Sequence, residues 1–242
     1  MAKVPLEFKP SFFPAIGVVP LNSVVLSLNG MTKKMLIFQG GWDGHQPAEL
    51  ARRFAAALEQ KGMEATIHDS LDCLDDADSL RAYDLIIPCW TMGQLSRERE
   101  ENLCAAISAG TGLAGIHGTM GDAFRGSIDY EWMVGGRFVA HPHVGDYIVT
   151  VIQPDHPLTV DLPTRFAYNS EQYYMQMDPG VNVLLETEYD LGTGTVPMPV
   201  AWTKRWGIGR VFYSALGHVP SEFDTHPEVW AFTIRGLCWA TR

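Results

Sequence analysis

Short apolar segments alternate with helix-forming segments through the first half of the chain. The apolar runs lie at residues 35–39, 65–68, 84–88 and 112–116. Amphipathic helices are predicted from Pro47 to Gly62 and from Ser96 to Gly110, with a loop or short helix between Asp69 and Asp78. Short runs without a polar face are typical of parallel strands covered on both sides. This alternation predicts an α/β fold with a mostly parallel sheet and helices on both faces.

The second half of the chain is richer in strand-like segments. Strands are predicted at residues 147–152, 181–186, 199–203 and 209–214, with a hairpin turn at 206–209 and a terminal helix from Pro227 to Ala240. No linker composition separates the halves, so residues 31–242 are predicted to form a single domain with a strand-rich C-terminal elaboration. Residues 1–30 contain Pro5, Pro10, Pro14 and Pro20 and are predicted to be an irregular or disordered N-terminal arm.

Composition limits the classes of partner. The formal net charge of −10 argues against a nucleic acid, which requires a basic surface. No apolar run approaches the roughly 20 residues of a membrane span, so no membrane partner is expected. The glycines form neither a GxGxxG nor a phosphate-loop pattern, so no nucleotide cofactor is expected. The four cysteines show no CxxC pairing, which predicts buried thiols and a cytoplasmic location.

One apolar run leads directly into a tight turn. The sequence Gly112-Leu-Ala-Gly-Ile-His-Gly118 resembles the nucleophile elbow of acyl-transfer enzymes, with His117 where a nucleophile would stand. The side chain of His117 is therefore expected over the carboxyl edge of the sheet, in strained backbone geometry. At such a tip we expect few core contacts, so that His117→Ala alters stability by no more than about 1 kcal/mol. An ordinary turn with a structural histidine is the alternative.

Five histidines, including His117, lie beside glycine or proline rather than in periodic apolar stripes. They are His45, His117, His141, His143 and His218, and Glu171 and Tyr173 add a carboxylate and a phenol. Imidazole and carboxylate together suit either a divalent metal site or a general acid–base pair, and the spacing does not distinguish them. For His141 and His143 an exposed loop position is the alternative, and for Glu171 an ion-paired carboxylate at a strand end. His68, His156 and His226 are expected to be structural.

Six motifs in a fixed order carry a resemblance to a known family. They are Gly40-Gly-Trp-Asp-Gly-His45, Gly115-Ile-His-Gly118, Gly135-Gly-Arg-Phe-Val-Ala-His-Pro142, His156-Pro157, Glu171-Gln-Tyr173 and Gly209-Arg-Val-Phe-Tyr-Ser-Ala-Leu-Gly-His218. From about Met35 to Trp239 the chain resembles the trehalose-utilisation, or ThuA-like, family. The resemblance implies a flavodoxin-like fold similar to class I glutamine amidotransferases, with histidine replacing the nucleophilic cysteine. It also implies catabolism of trehalose and related disaccharides through 3-keto sugars.

The combined expectation is an enzyme that isomerises, cleaves by elimination or hydrolyses an oxidised sugar, and is not a glutaminase. The catalytic candidates are His117, Glu171, Tyr173 and His218, and the candidates for contact with the sugar are Trp42, Asp43, His45 and Trp90. If a divalent metal binds, zinc is favoured over magnesium, with His117, His141, His218 and Glu171 as ligands. The small-molecule partner is a carbohydrate, and a homo-oligomer is compatible with the sequence. A sugar-binding or regulatory protein without catalysis is the alternative.

Overall fold

The computed structural model describes residues 32–242, and the counts of strands and helices refer to those residues. The predicted N-terminal arm lies outside it. Nine strands form one sheet in the order β2-β1-β3-β4-β9-β8-β7-β5-β6. The first five strands in this order are parallel: β1 (Lys34–Gly41), β2 (Glu64–His68), β3 (Leu85–Thr91), β4 (Gly112–Ile116) and β9 (Gly209–Ser214). This half confirms the predicted α/β fold.

Seven helices accompany the sheet. They are α1 (Pro47–Glu59), α2 (Ala77–Arg81), α3 (Arg97–Ser108), α4 (His117–Gly121), α5 (Ile128–Val134), α6 (Glu222–Thr225) and α7 (Pro227–Ala240). Short 3₁₀ turns lie at Asp43–His45 and Leu71–Leu74. Local signals explain the boundaries of the longer helices. Pro47 and Pro227 occupy first-turn positions, and the Ser96 hydroxyl accepts a hydrogen bond from the Arg99 amide at 3.2 Å.

The remaining four strands are antiparallel: β5 (Gly136–Val151), β6 (Arg165–Met177), β7 (Asn182–Asp190) and β8 (Thr195–Trp206). Strand β5 begins well before the predicted residue 147, and β6 was not predicted as a strand. The pairing of β5 with β6 shifts register between Phe138 and Ala140 and again before His143. These irregularities interrupt the period-two pattern by which a strand is recognised in a sequence.

The antiparallel half curls back towards the parallel half. Five steps across the sheet separate β4 from β6, or about 24 Å at 4.8 Å per step in a flat sheet. Nevertheless, the ring of Tyr173 on β6 lies 4.0 Å from that of His117, which follows β4. The sheet therefore brings its far edge over the carboxyl ends of the parallel strands, where α/β folds bind ligands.

Two further expectations need correction. Pro88 does not end its strand, since β3 continues to Thr91 and Pro88 pairs with Phe38 on β1. All four cysteines are unpaired, but only Cys89 and Cys104 are buried, whereas Cys73 and Cys238 are half-buried. Among residues 32–242, no helix is long and apolar enough to cross a membrane.

Candidate functional site

Four residues from distant parts of the chain converge at the carboxyl edge of the parallel strands. Each of His45, His117, Glu171 and His218 offers a ligand atom, and these atoms all lie within 4.8 Å of one another. We call this group the histidine–glutamate cluster. The sequence analysis named all four as site residues, and the fold brings them together.

His117 lies at the turn that the elbow pattern predicted. Strand β4 ends at Ile116, and His117 then adopts a left-handed backbone with φ of 42°. The Tyr213 hydroxyl holds the turn by donating to the His117 carbonyl at 3.1 Å. The expectation of few core contacts is wrong, because the imidazole is fully buried and packs on Tyr173. The curl of the sheet covers the tip with β6.

His45 enters the cluster from the 3₁₀ turn that follows β1. Its Nδ1 lies 2.7 Å from the Thr91 hydroxyl at the end of β3, and this contact leaves Nε2 without a partner. The ring centroid lies 5.0 Å from that of His117 and 5.0 Å from that of His218. A hydrogen bond to one ring nitrogen fixes the orientation of the ring and presents the other nitrogen to a ligand.

Glu171 lies at the centre of the cluster. Its Oε2 is 3.7 Å from Nε2 of His117 and 3.5 Å from Nδ1 of His218, which is carried by the turn after β9. Glu171 was expected at or just beyond a strand end. It instead projects from the middle of β6, because the antiparallel strand crosses over the sheet edge rather than ending there.

His141 requires a correction to the expected ligand set. Its Nε2 lies 3.7 Å from Oε1 of Glu171, but His141 is not among the four converging residues, and its side chain is 41% exposed. The register shifts of β5 on either side of His141 leave it at the rim of the cluster. His45, which was expected only to line the pocket, occupies the inner position instead. Within residues 32–242, the one hydrogen bond of the exposed His143 side chain is with the Asp146 carbonyl, at 3.0 Å.

The other predicted contact residues surround the turn that carries His45. Trp42 is 47% exposed, and its ring lies 4.8 Å from that of His45 at an interplanar angle of 85°. Trp90 is half-buried, and its indole N–H has no partner. Asp43 begins the turn and lines a neighbouring cavity of about 560 Å³, together with Gln46 and Ser221. An exposed aromatic face beside a polar cluster suits stacking against a sugar ring.

Backbone strain is concentrated at this edge of the sheet. In residues 32–242 the non-glycine residues with positive φ are Gln46, Met92, His117 and Phe124. Gln46 follows His45, Met92 follows Thr91, and the amides of Met92 and Phe124 are held by the Asp122 and Met92 carbonyls. Each such residue costs about 1–3 kcal/mol, and strain of this kind is typical of functional sites.

The electrostatic environment keeps the imidazoles of His45 and His117 neutral. Burial lowers the pKa of His45 to about 4, and the nearby His218 and His141 act in the same direction. Burial also lowers the pKa of His117 well below its ordinary value, with smaller contributions from His45 and His218. Neutral imidazole is the form that binds a metal or accepts a proton.

The donor atoms fit a divalent metal. Both nitrogens of His117, Nε2 of His45 and Nδ1 of His218 are buried and lack a hydrogen-bond partner. Ligand atoms at about 2.0–2.1 Å from a tetrahedral zinc ion lie about 3.3–3.4 Å apart. The observed 3.5 Å and 3.7 Å separations from Glu171 are close to this value. Unpartnered buried nitrogens are costly, and a bound ion would satisfy one nitrogen of each histidine.

Thr91 and Tyr213 contribute to the site without having been identified in the sequence. Thr91 orients His45, and Tyr213 holds the His117 turn. Thr91 ends a strand at the same sheet edge as the histidines, and that position was the one available signal. Tyr213 lies in an apolar run and gives no signal of its own.

Comparisons with known proteins extend these observations. The sequence profile of the ThuA family, described as trehalose utilisation, matches residues 34–240. A solved ThuA-like protein from Bacteroides uniformis ATCC 8492 is 22% identical, covers 88% of this chain and 94% of its own, and superposes with a TM-score of 0.68. One from Parabacteroides merdae ATCC 43184 is 15% identical over 87% and 90% of the two chains, with a TM-score of 0.66.

A more distant likeness is a cytoplasmic protein from Salmonella typhimurium LT2, 13% identical over 86% of this chain and all of the other, with a TM-score of 0.60. No curated protein matches the sequence. The structural likenesses establish the fold, and the family profile covers the elements that carry all four cluster residues. The chain therefore belongs to the ThuA, or trehalose-utilisation, family.

Proposed function

We propose that the protein processes an oxidised disaccharide, such as 3-keto-trehalose, at the histidine–glutamate cluster. Membership of the trehalose-utilisation family supports a carbohydrate substrate in general. The observation that carries the proposal is the convergence of three imidazoles with unpartnered nitrogens and one carboxylate beside an exposed tryptophan. Such a set can move a proton beside a carbonyl group, which is the chemistry that a keto sugar makes available.

A 3-keto group acidifies the proton on C2. An imidazole of the cluster removes this proton, and the C–H electron pair moves to form a C2=C3 enolate. Expulsion of the C1 oxygen substituent, which takes up a proton as it leaves, completes an elimination, and addition of water to the resulting enone completes a net hydrolysis. Return of the proton to C2 from the other face, or to the oxygen, gives an isomer. All three outcomes share the first step.

Individual side chains suit particular parts of this step. His117 is the proposed base, since burial keeps it unprotonated and the strained turn fixes its direction. Tyr173 is the proposed donor to a sugar oxygen, because burial raises the pKa of its phenol and keeps the proton in place. The 3.5 Å contact between His218 and Glu171 supports an opposing acid–base pair.

We also propose that the cluster binds a divalent ion, with zinc favoured by its imidazole-rich donors. His45, His117, His218 and Glu171 would hold it, so His45 replaces His141 in the ligand set that the sequence suggested. When bound, the ion supplies positive charge for an enolate oxygen. In the metal-bound form His117 would be a ligand and not the base, and His141, outside the four ligands and 3.7 Å from Glu171, would take the role of base instead.

One observation favours a second function, a sugar-binding protein without catalysis. Four protein ligands fill a tetrahedral zinc site, and closed sites of this kind are usually structural. In that case Trp42 and Trp90 would provide the binding surface, and the cluster would stabilise it.

A cytoplasmic location belongs to the proposal as well. The four unpaired cysteines support it, as does the fold shared with a Salmonella protein described as cytoplasmic.

The test is incubation with 3-keto-trehalose in D₂O, with and without a chelator, followed by mass spectrometry and NMR of the products. Proton abstraction predicts deuterium at C2 wherever C2 is reprotonated, in substrate that returns from the enolate and in the hydrated or epimerised product. The elimination product carries no hydrogen on C2 and is identified by its mass. Loss of exchange on chelation, with recovery on added zinc, assigns the chemistry to the metal-bound form. Binding without exchange or turnover would favour the second function and overturn the first.

A further inference from the structure

Glu222 connects the two elements that carry Glu171 and His218. It opens helix α6, four residues after His218. Its Oε2 accepts hydrogen bonds from the Tyr168 hydroxyl at 2.8 Å and from the His218 amide at 3.1 Å. Its Oε1 accepts from the Ser170 hydroxyl at 2.8 Å. One carboxylate therefore binds both β6 and the turn that follows β9.

The donors lie immediately beside cluster residues. Ser170 directly precedes Glu171, and Tyr168 and Ser170 share one face of β6 because side chains alternate along a strand. Their anchoring fixes the backbone from which Glu171 projects on the other face. In the turn that carries His218, the Gly217 amide donates to the Tyr168 hydroxyl at 3.1 Å. The consecutive amides of Gly217 and His218 are therefore both hydrogen-bonded to this network.

The chemistry of these groups makes the arrangement rigid. An ionised carboxylate is an acceptor with room for about four hydrogen bonds, and hydrogen bonds to a charged acceptor are shorter and stronger than neutral ones. Tyr168 is 1% exposed and Ser170 is 7% exposed, so water competes little for their hydroxyls. Burial raises the pKa of the Tyr168 phenol, which therefore keeps its proton for Glu222.

We propose that Glu222 is a positioning residue that sets the 3.5 Å contact between Glu171 and His218. This inference rests on the proposed function for its catalytic consequence, but its geometric part is independent. Glu222 makes no contact with His45 or His117 among the hydrogen bonds and ion pairs of the described residues. It acts through the backbone and not on a reacting atom.

The experiment compares Glu222→Ala with Glu222→Gln, and uses Glu228→Ala as the matched control. Glutamine can keep its oxygen on Tyr168 and the His218 amide, and can donate from its nitrogen to Ser170. Glu228 is a partly exposed carboxylate near the start of α7, and in the described part of the chain its one side-chain hydrogen bond is with His226, at 3.2 Å. Ser170→Ala removes a single bond and serves if Glu222→Ala does not fold.

Two readouts separate positioning from general stability. The first is the imidazole NMR spectrum of histidine-labelled protein, in which Glu222→Ala is expected to shift or broaden the His218 ring signals. The second is turnover of 3-keto-trehalose, for which we expect kcat to fall about 10–100-fold with KM changed less than about threefold. Glu222→Gln is expected to retain at least about a third of wild-type kcat, and Ser170→Ala to fall between the two.

Equal losses in Glu222→Ala and Glu222→Gln would overturn the proposal, because they would assign the effect to charge rather than to hydrogen bonding. Unchanged His218 signals in Glu222→Ala would also overturn it. If wild-type protein shows no turnover, the proposed function fails, but the NMR comparison still decides whether Glu222 positions His218.

Discussion

At the scale of single residues, His117 combines full burial with two unpartnered ring nitrogens. Removing the ring leaves a cavity, which destabilises the fold, but it also removes two unsatisfied polar atoms that each cost about 1–3 kcal/mol. The two effects oppose each other. We therefore still expect a small stability change for His117→Ala. The reason is this compensation and not a lack of core contacts.

We predict that His117→Ala changes the free energy of unfolding of metal-free protein by no more than about 1 kcal/mol. Urea denaturation in the presence of a chelator measures it. Phe232→Ala is the control, because Phe232 is equally buried but entirely apolar, and its loss should cost about 3–5 kcal/mol. If His117→Ala lowers the free energy of unfolding by about 3 kcal/mol or more, the ring nitrogens of His117 must have hydrogen-bond partners in the folded protein.

The lowered pKa values of His45 and His117 give metal-free protein a defined pH dependence. Between pH 6.5 and about 4, His45 and His117 bind protons in the unfolded chain but stay neutral in the folded protein. Stability therefore falls as pH falls. The expected slope is about 1.4 kcal/mol per pH unit for each of these two histidines. His218 and His141 face the pair and lower both pKa values further, and Glu171 is the carboxylate beside them. Chelated His45→Gln should show a shallower slope by urea denaturation, and an unchanged slope would contradict the assignment.

Sequence reasoning identified those site residues that end or follow parallel strands, such as His117 and His218. It placed His141 among the metal ligands and His45 only in the pocket lining, because spacing alone does not reveal which way a side chain points. Thr91 and Glu222 were not identified, because their roles depend on contacts with residues that the fold, not the sequence order, brings near.

At the scale of elements, a helix or strand could be predicted where the sequence carries a local signal, such as a first-turn proline or a regular apolar pattern. Helices α1 and α7 begin at prolines and follow an amphipathic or apolar pattern, and their positions agree with the prediction. Strands β5 and β6 contain polar residues on both faces, and β5 also has register shifts, so alternation did not reveal them. The site lies where a well-predicted parallel edge meets these poorly predicted strands.

The first turn of α4 packs against the cluster so closely that it tolerates no side chain at Gly118. A Cβ there would lie 2.2 Å from Cε1 of His45 and 2.8 Å from the Tyr173 hydroxyl. We predict that Gly118→Ala displaces His45 and lowers zinc affinity or turnover about 10–100-fold. Gly180→Ala, where the nearest atom is 3.4 Å away, is the control. Wild-type affinity and turnover in Gly118→Ala would show that His45 is not needed in its observed position.

At the scale of the whole molecule, the cluster joins the two halves of the sheet. His45, His117 and His218 follow parallel strands, whereas Glu171 comes from the far antiparallel edge. An ion held by all four residues would link the parallel half of the sheet to the antiparallel half. It would bind only the folded chain, because the four residues come together only there. Binding of that kind stabilises a protein according to ligand concentration and affinity.

We predict that zinc at about 100 times its Kd stabilises the protein by about 2.7 kcal/mol and raises Tm by roughly 5–10 °C. Differential scanning fluorimetry of chelated and reloaded protein measures the shift. Magnesium should have little effect, since it prefers oxygen ligands. An equal shift in Glu171→Ala would place the ion elsewhere.

The most direct test of the central claim is the rate of C2 deuterium exchange and turnover of 3-keto-trehalose by two histidine variants. His117→Ala removes the proposed base or, in the metal-bound form, a ligand of the ion. His143→Ala removes an exposed imidazole whose one hydrogen bond within the described residues is to a backbone carbonyl. We predict a fall of about 10²–10⁴-fold for His117→Ala and a rate within about twofold of wild type for His143→Ala. Near-normal rates in folded His117→Ala would contradict the claim that this cluster performs the chemistry.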